Sequence, residues 1–180
     1  VLNKFRTRIE NVTRYALRIH DLFRGSVIVK QIDYKNATGP SKLRGVLIDP
    51  HFSNLPWIIK QIREMDRYGE MNKCLNNMGF KDVSLNVDKT VDQRYYLVVE
   101  SKGLELIRES ISLSLLKAIS ICATVVYGRR LIVIDDFEVY MDYDMIRSFI
   151  NMLSGIDRQV ILTTRVNIKD IAPGLDVIVV

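Results

Sequence analysis

The chain has 180 residues, a formal charge of +5 and 48% hydrophobic residues. That is apolar content for one core, and the length argues against several domains. Its two histidines lie far apart, its two cysteines have no metal-ligand neighbours, and no uncharged run reaches membrane-spanning length. Zinc-site and membrane-spanning classes are therefore disfavoured. The mild positive charge admits nucleic acid or an acidic partner without requiring either.

Cys74 and Cys122 lie in apolar settings and read as reduced core residues of a cytoplasmic protein. No signal-peptide pattern is present. The first residue is Val rather than Met, which leaves room for a longer parent chain.

Residues 1–23 predict an amphipathic helix. Leu2, Phe5, Ile9, Val12, Ala16 and Ile19 recur at three- and four-residue steps, with Lys4, Arg8, Arg14 and Arg18 roughly opposite. That basic face is either solvated or a surface for a nucleic-acid or protein partner. Residues 26–32 predict a strand, and 34–45, rich in breakers, a loop. Within it Thr38-Gly39-Pro40-Ser41-Lys42 has the wrong order for a phosphate loop. The pattern G-x-x-x-x-G-K-[ST] occurs nowhere in the chain.

Residues 46–62 run from an apolar stretch through a turn into a helix, with Ser53 or Asn54 as cap and Pro56 in the first turn. A second helix over 70–78 stops at Gly79. Residues 80–87 and 93–100 predict an antiparallel hairpin with one wet face, linked by 88–92. Residues 104–126 predict one long helix, apolar on most faces and hence buried.

The densest signal follows. Four apolar residues, Leu131 to Ile134, run into Asp135 and Asp136. Such a run predicts a strand buried on both faces, as in a parallel sheet. The carboxylates then sit at its carboxyl end, where open α/β sheets place their ligands. Asp142 is positioned to cap a helix over Tyr143–Leu153, with Met145, Ile146, Phe149, Ile150 and Leu153 as its core face and Gly155 as its stop. Residues 159–164, Q-V-I-L-T-T, predict another buried strand, and 177–180 a last one. The strands at 131–135, 160–164 and 177–180 are expected to be parallel neighbours.

Asp135-Asp136-Phe137-Glu138 after that apolar run resembles the Walker B motif of ABC-type P-loop ATPases of the RecF/SMC-like AAA kind. The same resemblance extends to Ser53-Asn54-Leu55-Pro56 before a helix, where Phe52 stands for the family's usual Gly. It extends also to the hairpin, the long helix, and the Q-V-I-L-T-T strand. It implies an α/β fold, a mostly parallel sheet with flanking helices plus a small antiparallel hairpin. It implies further that residues 1–180 are a single domain, the C-terminal part of a longer ATPase domain in the cytoplasm.

By that resemblance Asp135 holds Mg²⁺ and Asp136 polarises the attacking water, with Glu138 nearby. Arg165 replaces the switch His and touches the γ-phosphate of ATP or pairs with Asp136. Ser110 and Ser112 fall in the signature segment and Asp142 in the D-loop. Both imply a homodimer through a nucleotide sandwich. Four departures stand out: no Walker A, Ser112 where the signature has Gly, Asp136 where the family has Glu, and Arg165 for His. Two alternatives stay open beside the Walker B portion of an ATPase. One is a catalytically degenerate scaffold of the same fold; the other is an unrelated α/β domain that binds metal directly.

Overall fold

The computed structural model describes residues 27–29, 37–41, 48–128 and 131–171, of which 27–29 as backbone only. The helix expected over 1–23 and the strand expected over 177–180 lie outside these residues. In chain order the described elements begin with strand β1 (Val27–Val29) and helices α1 (Leu55–Glu64) and α2 (Tyr68–Asn77). Strands β2 (Val83–Lys89), β3 (Tyr95–Ser101) and β4 (Leu104–Leu106) come next, then helix α3 (Leu113–Tyr127). Strand β5 (Leu131–Ile134), helix α4 (Tyr143–Leu153) and strand β6 (Gln159–Leu162) complete the series.

The strands form two sheets. One is parallel, in the order β1-β5-β6, with Ile28 opposite Val133 and Ile132 opposite Val160. The other is the antiparallel set β2-β3-β4. The result is a mixed α/β architecture, not the mostly parallel sheet expected. The parallel strands β5 and β6 are joined through α4, the arrangement a parallel crossover demands.

Helix α3 is central. Residues 115–124 are all buried, and α1 and α2 pack against it. Ile132 and Ile134 of β5 are fully buried, as are Leu116, Ile119 and Ile121 of α3. Each such side chain contributes about 1.5–3 kcal/mol relative to exposure. Because β5 is flanked on both edges by strands and Leu131, Ile132 and Ile134 are buried, its LIVI run needs no polar alternation.

The sequence expectations fail at five places. First, residues 104–126 are not one helix. Lys102 and Gly103 both adopt positive φ, 53° and 77°, and join β3 to β4 as a two-residue hairpin turn, with Ser101 opposite Leu104. A 3₁₀ turn over Arg108–Ser110 follows, and α3 starts only after Ser112. Second, Cys74 and Cys122 are joined in a disulfide, Cα to Cα 5.6 Å, tying α2 to α3. Their apolar settings reflected burial, not reduction, and the cysteine argument for a reducing cytoplasm falls with it. Third, β6 is half-exposed and not fully buried; Ile161 keeps 45% of its surface. Fourth, Asn54 occupies the cap position of α1, but its side chain makes no capping bond. Its Oδ1 accepts from the Asp49 N–H at 2.9 Å and closes the preceding turn instead. Fifth, Ala37 and Thr38, expected in a loop, are helical.

The stop at Gly79 holds as expected, and Phe52 adds a finding that the sequence did not indicate. Gly79, at φ 94°, ends α2 in the left-handed conformation that suits a C-cap glycine. Phe52, which stands where the resembled pattern has Gly, also has positive φ, 60°, while its ring is fully buried. A bulky residue there carries backbone strain that the ring's burial offsets.

Candidate functional site

The site is the end of the parallel sheet where β5 and β6 finish together. Past Ile134 the ladder continues for one more step through Thr163. Thr163 N–H donates to the Ile134 carbonyl at 3.0 Å, and Phe137 N–H donates to the Thr163 carbonyl at 3.2 Å. Asp135 and Asp136 loop out between those two bonds. Phe137 then anchors the loop: its ring is fully buried, 5.5 Å from that of Phe149 on α4. Asp136 pays for the excursion with φ 44°, a left-handed conformation that Asp tolerates better than most residues.

Thr163 organises both carboxylates. Its hydroxyl donates to Asp135 Oδ1 and accepts from the Asp136 N–H at 2.8 Å. Arg165, two residues on, makes two contacts. Its guanidinium lies 3.3 Å from Asp136 Oδ2, and its backbone N–H donates to Glu138 Oε1 at 3.0 Å. The ion pair is exposed, Arg165 at 83% and Asp136 at 43%, so it orients more than it stabilises. Thus four of the residues singled out in the sequence, Asp135, Asp136, Glu138 and Arg165, meet at one end of the sheet.

The other three do not join them. Asp142 caps α4, its Oδ1 accepting from the Met145 N–H at 2.8 Å. Ser112 caps α3, its Oγ accepting from the Leu115 N–H at 3.1 Å. Ser110 closes the 3₁₀ turn before it, its N–H bonded to the Ile107 carbonyl at 2.8 Å. Among the described residues, no hydrogen bond or ion pair links these three to the carboxylates.

Two residues of the site went unassigned in the sequence. Thr163 was visible only as part of a strand. Lys117 lies on α3 with 2% of its surface exposed, and its Nζ donates to the Asp136 carbonyl at 3.4 Å. Burial pushes its ammonium below the ordinary lysine range; Glu138, then Asp136 and Asp135, oppose that shift. A lone lysine inside L-S-L-L-K-A-I-S-I-C-A was the available signal.

The donor set bears on a metal. Among the described residues no three carboxylates, histidines or cysteines converge into a cage. Mg²⁺ does not need one, since it usually takes one or two carboxylates, waters and substrate phosphates. Asp135 fits that role. It is exposed, and Thr163 is its one side-chain partner among the described residues. No helix of the described residues is long and apolar enough to cross a membrane.

The chain matches no family model and no curated protein. Among solved structures it is similar to an SMC head bound to the C-terminal winged-helix domain of ScpA. The TM-score is 0.50 at 12% identity, over 77% of this chain and 47% of that one. A second similar structure is a Pyrococcus furiosus Smc head with an extended coiled coil, bound to the C-terminal domain of ScpA. Its TM-score is 0.42 at 10% identity, over 67% of this chain and 33% of that one. The chain spans about half the length of the first SMC head, and at 12% identity that likeness is one of fold. The fold of this chain is related to that of SMC heads.

Proposed function

We propose that the chain is the Walker B-bearing, C-terminal part of an SMC-head-like ATPase domain whose phosphate loop lies outside these 180 residues. The observation that carries this reading is the meeting of Asp135, Asp136 and Glu138 with Arg165 at the carboxyl ends of two adjacent parallel strands. Ligands of open α/β sheets bind at that end.

In this reading Asp135 holds Mg²⁺ through its exposed carboxylate, with the Thr163 hydroxyl fixing the carboxylate's orientation. The metal, when bound, supplies charge that stabilises the transferring phosphoryl group. Asp136 orients the attacking water, and Glu138 supports it from the buried side of the loop. Arg165 either turns to the γ-phosphate or keeps Asp136 paired. Ser110, Ser112 and Asp142 belong to surfaces that a second copy would meet across ATP. A nucleic-acid or protein partner for the basic residues Lys4, Arg8, Arg14 and Arg18 is part of the same proposal.

A degenerate scaffold is the second reading, and one observation favours it. The Arg165 guanidinium already lies against Asp136, the carboxylate assigned to water.

The experiment is ATP turnover beside nucleotide binding in the longest natural chain carrying these residues, for wild type, Asp135→Ala and Asp136→Asn. Loss of turnover in both, with binding retained in Asp136→Asn, supports the ATPase. Unchanged turnover in both variants removes the catalytic assignment. The 180-residue chain alone is expected to hydrolyse no appreciable ATP, because the phosphate-loop amides and lysine supply most phosphate contacts. Robust hydrolysis by it would contradict the placement of that loop elsewhere.

A further inference from the structure

Lys117 is a charged residue, 2% exposed, on a helix whose residues 115–124 are all buried. Its ammonium has three donors, and the Asp136 carbonyl at 3.4 Å takes one. No described carboxylate oxygen comes within the 4.0 Å of an ion pair. Three carboxylates nevertheless act on it from the loop beyond β5, Glu138 most strongly, then Asp136 and Asp135.

Glu138 has the matching deficit. One carboxylate oxygen accepts the Arg165 N–H at 3.0 Å. The other, Oε2, is buried with no hydrogen-bond partner. The Arg165 guanidinium is engaged with Asp136. Lys117 is therefore the countercharge left for Glu138 among the described residues. Removing Glu138 leaves the buried ammonium without that countercharge.

The backbone tells the same story. Asp136 is at φ 44°, and the carbonyl it presents from that strained turn is the one Lys117 holds. One side chain thus touches the loop's backbone and balances its most buried charge.

We infer that Lys117 is a positioning residue for the carboxylate loop: it holds the Asp136 carbonyl and supplies the countercharge that keeps Glu138 in the loop, aimed at the Arg165 amide. This deepens the ATPase reading and rests on it for its catalytic meaning. The Lys117–Glu138 couple itself needs no nucleotide.

The test is a double-mutant cycle in the 180-residue chain. Lys117→Met, Glu138→Gln, the double variant and Lys117→Arg are unfolded in urea. The Arg165 backbone amide, which donates to Glu138, is followed by nitrogen-15 NMR in a backbone-assigned sample. Glu138→Gln alone is expected to lower the folded-to-unfolded ratio by roughly tenfold or more, because it strands the buried ammonium. The double variant is expected to lose less than the product of the two single effects. The Arg165 amide signal moves in Lys117→Met and returns toward wild type in Lys117→Arg. If Lys117→Met does not fold, adding Glu138→Gln is expected to restore folding, and failure to restore it overturns the inference. Multiplicative effects in the double variant, or an unmoved Arg165 amide signal in Lys117→Met, also overturn it. A measured couple with unchanged turnover in Asp135→Ala and Asp136→Asn supports Lys117 as loop organiser and sinks the ATPase reading instead.

Discussion

The Thr163 hydroxyl bridges two consecutive carboxylate residues, donating to the Asp135 side chain while accepting the Asp136 backbone N–H. This is how β6 dictates the geometry of the loop beyond β5. The first prediction follows from it. Thr163→Val keeps the shape and removes both bonds, and is expected to cost about 1 kcal/mol at this exposed position. Thr163→Ser retains most of the stability. Urea unfolding of the three proteins checks it; equal midpoints would show that the bridge carries no stability.

The caps of α3 and α4 give the second. Ser112 and Asp142 each accept from the backbone N–H three residues on. Replacing either by Ala is expected to destabilise the chain by about 1 kcal/mol. The two sites sit on different helices, so the losses should add. Asp142→Asn and Ser112→Thr are expected to be near neutral. Chemical denaturation reads all five variants.

The disulfide supplies the third. Cys74 and Cys122 are 48 residues apart, and closing a loop of that length stabilises by about 4 kcal/mol in the chain-entropy model. Intact-mass measurement without reductant should show the chain lighter than the reduced form by two hydrogen atoms, the change on oxidising two thiols to one disulfide. Adding reductant to the urea-treated chain should lower the unfolding midpoint. A Cys122→Ala variant should be insensitive to reductant, and equal reductant sensitivity in that variant would break the assignment.

The fourth concerns pH. The folded Lys117 ammonium titrates below its ordinary value near 10.5, chiefly because it is buried. Between the depressed folded value and the unfolded one, the unfolded chain binds more protons. Stability therefore rises with pH through that window, and the cost of holding Lys117 charged applies in full below it. Glu138, then Asp136 and Asp135, face the ammonium and oppose that lowering of its pKa. Subtracting the alkaline stability profile of Lys117→Met from that of wild type isolates the rise. A flat difference would show that Lys117 does not titrate in the window.

Much of this chain was legible in its residues. The LIVI run fixed β5 as a buried strand because four consecutive apolar residues leave no wet face. Asp142 announced the start of α4 because a short carboxylate just before an apolar 3.6-residue periodicity has one good use, to accept the orphan N–H groups of the first turn. Asp135 and Asp136 stood out at the end of the apolar run, while Glu138 and Arg165 were singled out by the resemblance; that Arg165 joins the aspartates was expected because parallel neighbours end on the same side. Tertiary structure alone decided the rest. Residues 104–106 looked like the start of a helix, yet the pairing of β4 with β3 outweighed local preference once Gly103 allowed the turn. The Cys74–Cys122 bond joins residues 48 apart, a distance over which no local pattern carries information. Lys117 and Thr163 became part of the site for the same reason. Each is an ordinary residue of its own helix or strand extension, and only the packing of α3 and β6 beside β5 brings a buried ammonium and a hydroxyl to the loop, where desolvation makes their partners matter.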